Sequence, residues 1–247
     1  MAVEFHMPHD VVYYEADVTG KLSLPMIYNL AILSSTQQAI DLNIGPEYTH
    51  AKGLGWVVLQ QLVTINRRPK DGETITLSTK AKQFNPFFAK REYRLIDAAG
   101  NDLVIMDGLF SMIDMNKRKL ARIPKDMAEA YQPEHVRKIP RAPEVTPFDE
   151  TREADFAQDY FVRYLDIDSN HHVNNSKYAE WMSDVLPIEF LTSHEPTAMN
   201  IKYEHEVLYG NKIKSEVQLV DNVTKHRIWF GDVLSAEATI EWTTASN

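Results

Sequence analysis

No cysteine occurs among the 247 residues. That absence excludes a disulfide framework, a thiolate zinc site and a cysteine nucleophile together. It also fits a reducing, intracellular compartment. Long apolar runs are missing too. No stretch approaches the ~20 residues needed to cross a bilayer. Met1 to Asp10 hold acids and no apolar core, so no signal peptide is expected. A cytoplasmic protein without integral membrane contact follows as the expectation. Positive charge is in deficit, with 26 Lys and Arg against 35 Asp and Glu and a formal net charge of −9. That balance argues against nucleic acid as the main partner, and no helix-turn-helix pattern is present. His-Glu-x-x-His does not occur, and His171 and His172 are adjacent rather than one helical turn apart, so neither a metal nor another cofactor is expected.

The charge that is present is uneven. Between Lys52 and Lys125 there are 14 Lys and Arg against 7 Asp and Glu, a basic middle on an acidic chain. Such a patch suits an acidic partner docking there, or is simply a solvated face.

Pattern recurs along the chain. An extended segment from Phe5 to Tyr14 precedes a helical one, with Ser23 as a candidate N-cap, Pro25 just inside, and Leu24, Ile27, Tyr28, Ala31 and Ile32 at helical spacing. Four strand-like runs follow: Gly55 to Ile65, Glu73 to Ala81, Phe87 to Ile96 and Leu103 to Asp114. The second half repeats the order. An extended segment runs from Phe156 to Leu165 and a helix from Asn175 to Leu186. Strands are expected at Ala198 to Val207, Lys212 to Leu219, Arg227 to Phe230 and Ala236 to Trp242. Gly72 and Gly210 occupy the same place in the two copies, as do Ile65 and Tyr203. Residues 128–154 are polar and proline-bearing, a linker composition. The organisation predicted is an N-terminal repeat over 1–127, a linker over 128–154 and a C-terminal repeat over 155–247. One long helix followed by antiparallel strands, done twice, is an α+β plan: a double hotdog, each sheet curling around its helix.

The run Asp168-Ser169-Asn170-His171-His172-Val173-Asn174-Asn175 stands directly before the second amphipathic helix. Helix N-terminal N–H groups favour developing negative charge, as a carbonyl becoming an oxyanion requires. Asn170 can add a donor, and His172 can act as acid or base. A polar loop with a good cap accounts for the same residues without chemistry. Glu206 is read on a strand, on one face with Lys202 and Glu204. It is a candidate general base or a solvating edge charge. The first copy lacks these groups, and Arg68 stands where the second copy has Glu206. At most one copy is therefore catalytic.

The stretch Asp168 to Trp181, with Asp-x-Asn-x-His-Val-Asn-Asn before Lys-Tyr-x-x-Trp, closely resembles the signature of the acyl-acyl-carrier-protein thioesterases, and the similarity covers essentially the whole chain. The resemblance implies that Asp168, Asn170, His172 and Glu206 are catalytic and that the substrate is a fatty acyl thioester on the phosphopantetheine arm of acyl carrier protein. Plant members follow the Glu with a Cys, and here that position is Val207. The acyl chain is then expected in the N-terminal repeat, where Met26, Ile27, Leu30 and Trp56 are candidates for its pocket or for core packing. Carrier docking is expected on the basic middle: Arg67, Arg68, Lys70, Lys117, Arg118 and Lys119, with Lys80, Lys82, Lys90 and Arg91 beside them. The protein would be a monomer or a homodimer. An acyl-CoA thioesterase and a non-catalytic acyl-binding module are the competing readings.

Overall fold

The computed structural model describes residues 2–168 and 172–245. Strand β1 (Glu4–Asp10) leads through a 3-10 turn at Tyr13–Glu15 into helix α1 (Leu24–Asp41). Helix α2 (Pro46–Ala51) and strands β2 (Leu54–Ile65), β3 (Thr74–Phe84), β4 (Phe88–Ile96), β5 (Asp102–Asp114) and β6 (Lys119–Ala121) follow. Helix α3 (Lys125–Ala130) and the short strand β7 (Glu134–His135) open the expected linker. The second half has β8 (Phe156–Phe161), a 3-10 turn at Tyr164–Asp166, α4 (Asn175–Asp184), α5 (Ile188–Ser193), β9 (His194–Tyr203), β10 (Lys212–Val220), β11 (Val223–Phe230) and β12 (Val233–Thr244).

Each extended segment ends sooner than its composition suggests, for one shared reason. Glu15 and Asp166 are buried carboxylates that accept backbone N–H groups from Val12 and Arg163, three residues earlier. Each local bond folds the chain into a 3-10 turn instead of continuing the strand. Helix α1 then starts behind Ser23, with Pro25 in the first turn where no N–H is needed. The Ser23 side chain makes no capping bond, whereas Asn174 caps α4 by accepting the N–H of Ser176 at 3.0 Å.

The sheet reads β1-β3-β4-β5-β2-β9-β12-β11-β10-β8. The order is a palindrome about the antiparallel junction of β2 with β9, where Leu62 faces Asn200. These two positions are equivalent in the repeat, so a pseudo-twofold axis passes through that pair. Gly72 and Gly210, the equivalent turn glycines, have φ of 77° and 79°, a left-handed geometry that favours glycine. Alternation sends Val63, Met199 and Ile201 to one face, where α1 and α4 pack against the sheet and each other. A single apolar core therefore spans both halves. On the opposite face lies the linker. The carbonyl of Pro143 accepts from Gln60 and Asn200, and the N–H of Thr146 donates to Thr239. Among the described residues, no helix is long and apolar enough to cross a membrane.

The first half has a longer helix and longer strands than the second, 18 against 10 residues for α1 and α4. The last turns of α1 place the small side chains of Ser35, Thr36 and Ala39 on a cavity wall. In the second half Trp181, Met182 and Trp242 are buried in the core.

Candidate active site

The described residues of the loop before α4 are held by backbone bonds and by Ile167 and Val173, which pack on the core. Asp168 N–H donates to the His172 carbonyl at 2.8 Å, and Asn174 N–H donates to the Asp166 carbonyl at 2.9 Å. Ile167 and Val173 form an isolated bridge. The Asp168 carboxylate in turn accepts the His172 N–H at 3.4 Å. His172 is thus anchored through its main chain to Asp168. Asn170, expected between them, lies outside the described residues, as do Ser169 and His171.

Glu206 is not on a strand. Strand β9 stops at Tyr203 because Glu204 and His205 both donate their N–H to the Ser235 carbonyl. That doubled donation breaks the ladder, so the predicted alternation of Lys202, Glu204 and Glu206 does not extend to Glu206. Val207 is 0 % exposed and belongs to the core. It pins the loop and sets the Glu206 carboxylate at the cavity mouth, 3.0 Å from His172 Nε2. Arg118, from the turn between β5 and β6 of the first half, donates toward His172 Nε2 at 3.0 Å and also contacts the Glu206 carboxylate. The second copy's carboxylate and imidazole are thus completed by a guanidinium from the first. A carboxylate hydrogen-bonded to an imidazole can take a proton from water and pass one to a leaving group. Among the described residues, no three His, Asp or Glu side chains converge as a metal-binding group.

A cavity of about 580 Å³ opens at these residues and runs under α1. Its polar end holds Asp168, His172 and Glu206, with Tyr178 and Tyr203 beside them. Its apolar wall includes Trp56, Ile32, Ala39, Ala81, Phe110 and Met127. Burial raises the phenols of Tyr178 and Tyr203 well above their ordinary values, so both stay protonated and serve as donors rather than bases. Of the side chains expected around an acyl chain, Trp56 lines this cavity. Ile27 and Leu30 are packed in the shared core, and Met26 lines a separate groove near Asn174 and Lys177.

The expected docking residues separate in the same way. Arg67 pairs with Glu73 and Lys117 with Asp114, both near the surface, while Lys70 and Lys119 are exposed. Arg118 belongs to the cavity mouth. Arg68 is 4 % exposed and no surface group at all: Asp17 and Glu195 hold it.

The family model for the acyl-ACP thioesterase N-terminal domain matches residues 2–131, and that for the C-terminal domain matches residues 149–244. The chain belongs to the acyl-ACP thioesterase family. An acyl-acyl-carrier-protein hydrolase of Cuphea viscosissima is 27% identical over 168 residues, 64% of this chain and 39% of that protein. A palmitoyl-acyl carrier protein thioesterase of Gossypium hirsutum is 24% identical over 186 residues, 73% of this chain and 45% of that one. The chain thus spans less than half the length of these curated relatives. A crystal structure from Lactobacillus plantarum, named as an oleoyl thioesterase, superposes with a TM-score of 0.95 at 33% identity, covering 100% of this chain and 98% of that one. The 12:0-ACP thioesterase from Umbellularia californica shares the fold, with a TM-score of 0.86 at 19% identity and 98% coverage of both chains.

In this family member the first copy retains the frame of the site, with the sign of charge reversed at Arg68 in place of Glu206 and at Glu195 in place of Arg118. Asp17 N–H donates to the Lys21 carbonyl, and Ser23 N–H to the Glu15 carbonyl, bond for bond the pattern of Asp168, His172, Asn174 and Asp166. On that frame Asp17 matches Asp168, Lys21 matches His172, and Arg68 matches Glu206. Glu195, reaching in from the second half, bonds both Lys21 (2.7 Å) and Arg68 (3.0 Å), as Arg118 reaches in from the first. One frame thus carries an acid–base pair, and its twin carries a buried ion-pair cluster. From the sequence Arg118 stands among the docking cations, not beside His172 and Glu206. Its partners lie 54 and 88 positions away in the sequence, and a basic turn residue carries no local sign of them.

Proposed function

We propose that the protein hydrolyses fatty acyl thioesters carried on acyl carrier protein, releasing free fatty acids and ending chain elongation. The observation that carries this reading is the single cavity joining His172 and Glu206 to the apolar space under α1. A thioester needs both: room for the chain, and groups that move protons at the carbonyl. Glu206 accepts a proton from water as the oxygen attacks the carbonyl carbon. The N-terminus of α4 and Asn170 stabilise the oxyanion that forms. His172 protonates the departing thiolate. Asp168, tied to the main chain of His172, orients that residue. The N-terminal repeat binds the chain and the C-terminal repeat performs the chemistry, in the cytoplasm and without a cofactor.

Carrier docking uses Lys117 and Lys119, which flank Arg118 at the cavity mouth, whereas Arg67 and Lys70 follow the far end of β2 and do not line the cavity. The KM for acyl-acyl-carrier-protein should therefore rise several-fold between low and 0.3 M salt, because exposed charges are screened. A flat salt response would remove those residues from docking. Measuring kcat/KM for acyl-acyl-carrier-protein and acyl-CoA at one chain length separates the two carriers. Preference for the protein carrier supports this reading, and equal or better turnover of the CoA ester would replace it with the acyl-CoA alternative. Acyl binding with no cleavage of either ester would leave only an acyl-binding module.

A further inference from the structure

Arg118 is built into its place. The turn that carries it is held by Asp114, whose carboxylate accepts the N–H groups of Asn116 and Lys117 while its carbonyl accepts that of Arg118 at 2.8 Å. Arg118 itself adopts φ 53°, a region a non-glycine residue occupies at some cost. Its guanidinium reaches both His172 and Glu206. Those two contacts compete. His172 Nε2 either carries a proton and donates to Glu206 or lacks one and accepts from Arg118; a single nitrogen cannot do both. Arg118 is therefore a cation whose hold on the pair changes with where the proton sits.

The charge accounting of hydrolysis gives this competition a use. When Glu206 takes a proton from the attacking water, its carboxylate becomes neutral and the negative charge moves to the former carbonyl oxygen. The carbon–sulfur bond then breaks, the electron pair leaves with sulfur, and His172 supplies the thiolate's proton. The new carboxyl group gives up its own proton, by way of Glu206 and His172, to restore both groups and release the remainder to solvent. At the end one carboxylate has been created beside Glu206. Lys90 and Arg91 also line the cavity, but Lys90 pairs with Asp107 and Arg91 bonds to Gln38 and Thr79. Among the described cavity cations, Arg118 is the one in contact with the acid–base pair.

We propose that Arg118 follows this charge: it binds the oxyanion as Glu206 is protonated and then the carboxylate of the released fatty acid. The proposal rests on the thioesterase reading of the site. The contrast with the first copy's ion-pair cluster fits it. Arg68 is buried between Asp17 and Glu195, with a side chain 3 % exposed, whereas Arg118 and Glu206 are 44 % and 42 % exposed at the mouth. The first cluster is a fixed structural pair, and the second can open to admit a competing anion.

The test is binding, by calorimetry, of decanoate and of 1-decanol to the wild type and to Arg118→Gln and Arg118→Lys. A charge-assisted contact to the carboxylate predicts that Arg118→Gln weakens decanoate about 10- to 100-fold and leaves decanol unchanged, with Arg118→Lys between. Equal weakening of both ligands would make Arg118 a structural residue, and unchanged decanoate binding would show that it does not meet the carboxylate. Failure of the wild type to bind decanoate would overturn the proposal as well. Hydrolysis of acyl-acyl-carrier-protein by the wild type is measured alongside. Hydrolysis with no charge-selective effect of Arg118 defeats this inference alone, whereas charge-selective binding without hydrolysis defeats the thioesterase reading.

Discussion

At the scale of single residues, the site is a contrast between groups that face the cavity and groups that hold them there. His172 and Glu206 face it, while Val207, directly after Glu206, is turned into the core with no exposed surface. A side chain at position 207 supplies packing and has no route to a thioester carbonyl. Val207→Cys should therefore retain activity within about twofold, and its thiol should resist a membrane-impermeant alkylating reagent in the folded state. Rapid labelling that abolishes turnover would place that position in the site after all. His172→Ala should lower kcat by roughly 10²–10⁴, the usual worth of a positioned acid or base, and a near-wild-type kcat would remove it from the mechanism. Asn170 lies outside the described residues. Asp168, His172 and Glu206, which the structure brings to one end of the cavity, were legible as candidates because two of them stand in one polar run before a helix and the third lies on a matched motif. Arg118 beside them was not, because only the closed fold brings it there.

At the scale of elements, the helices, strands and their repeat were readable from periodicity, since a pattern of apolar residues at 3.6 or 2 spacing reports which face is buried. What periodicity could not report were hydrogen bonds between elements. The early stops at Asp10, Phe161 and Tyr203 come from buried carboxylates and from a doubled donation to Ser235, and none of these changes the apolar pattern. The short helices α2 and α5 also escaped, being too brief to show a period. Strand β11 hides a further polar group. His226 is fully buried, bonded to Thr224 at 2.7 Å, and burial lowers it from 6.5 to about 3. The folded protein thus keeps this imidazole neutral while the unfolded chain protonates it below about pH 6.5. Its contribution to stability is complete above that pH and is lost as the pH falls toward 3, with a slope of at most about 1.4 kcal/mol per pH unit. His226→Gln, which does not titrate, should lose less stability than the wild type between pH 6.5 and 4.5 in denaturant titrations. Parallel curves would show that His226 is not part of the acid response.

At the scale of the whole molecule, two copies of one frame have diverged, one carrying His172 and Glu206 and the other the Arg68 ion-pair cluster, and each half reaches across to complete the other. Glu195 serves the first copy as Arg118 serves the second. Burial pushes the Glu195 carboxyl up, and its bonds to Arg68 and Lys21 more than offset this, leaving it below the ordinary carboxylate value. Its stabilisation is therefore present at neutral pH and is lost as the pH falls through that lowered value. Glu195→Gln should destabilise the protein by about 3 kcal/mol at pH 7, the low end for breaking a buried pair because Arg68 keeps Asp17. The difference from wild type should shrink at acid pH, and a pH-independent deficit would mean that packing, not charge, is lost. The central claim is that this assembled site cleaves a thioester whose chain lies in the other half's cavity. Steady-state hydrolysis of acyl carrier protein loaded with a series of chain lengths, by the wild type and by Glu206→Gln, tests it most directly. The account predicts a wild-type rate that depends on chain length and a loss of roughly 10²–10⁴ in kcat for every chain in the variant; no wild-type release of fatty acid, or a variant that turns over like the wild type, would contradict it.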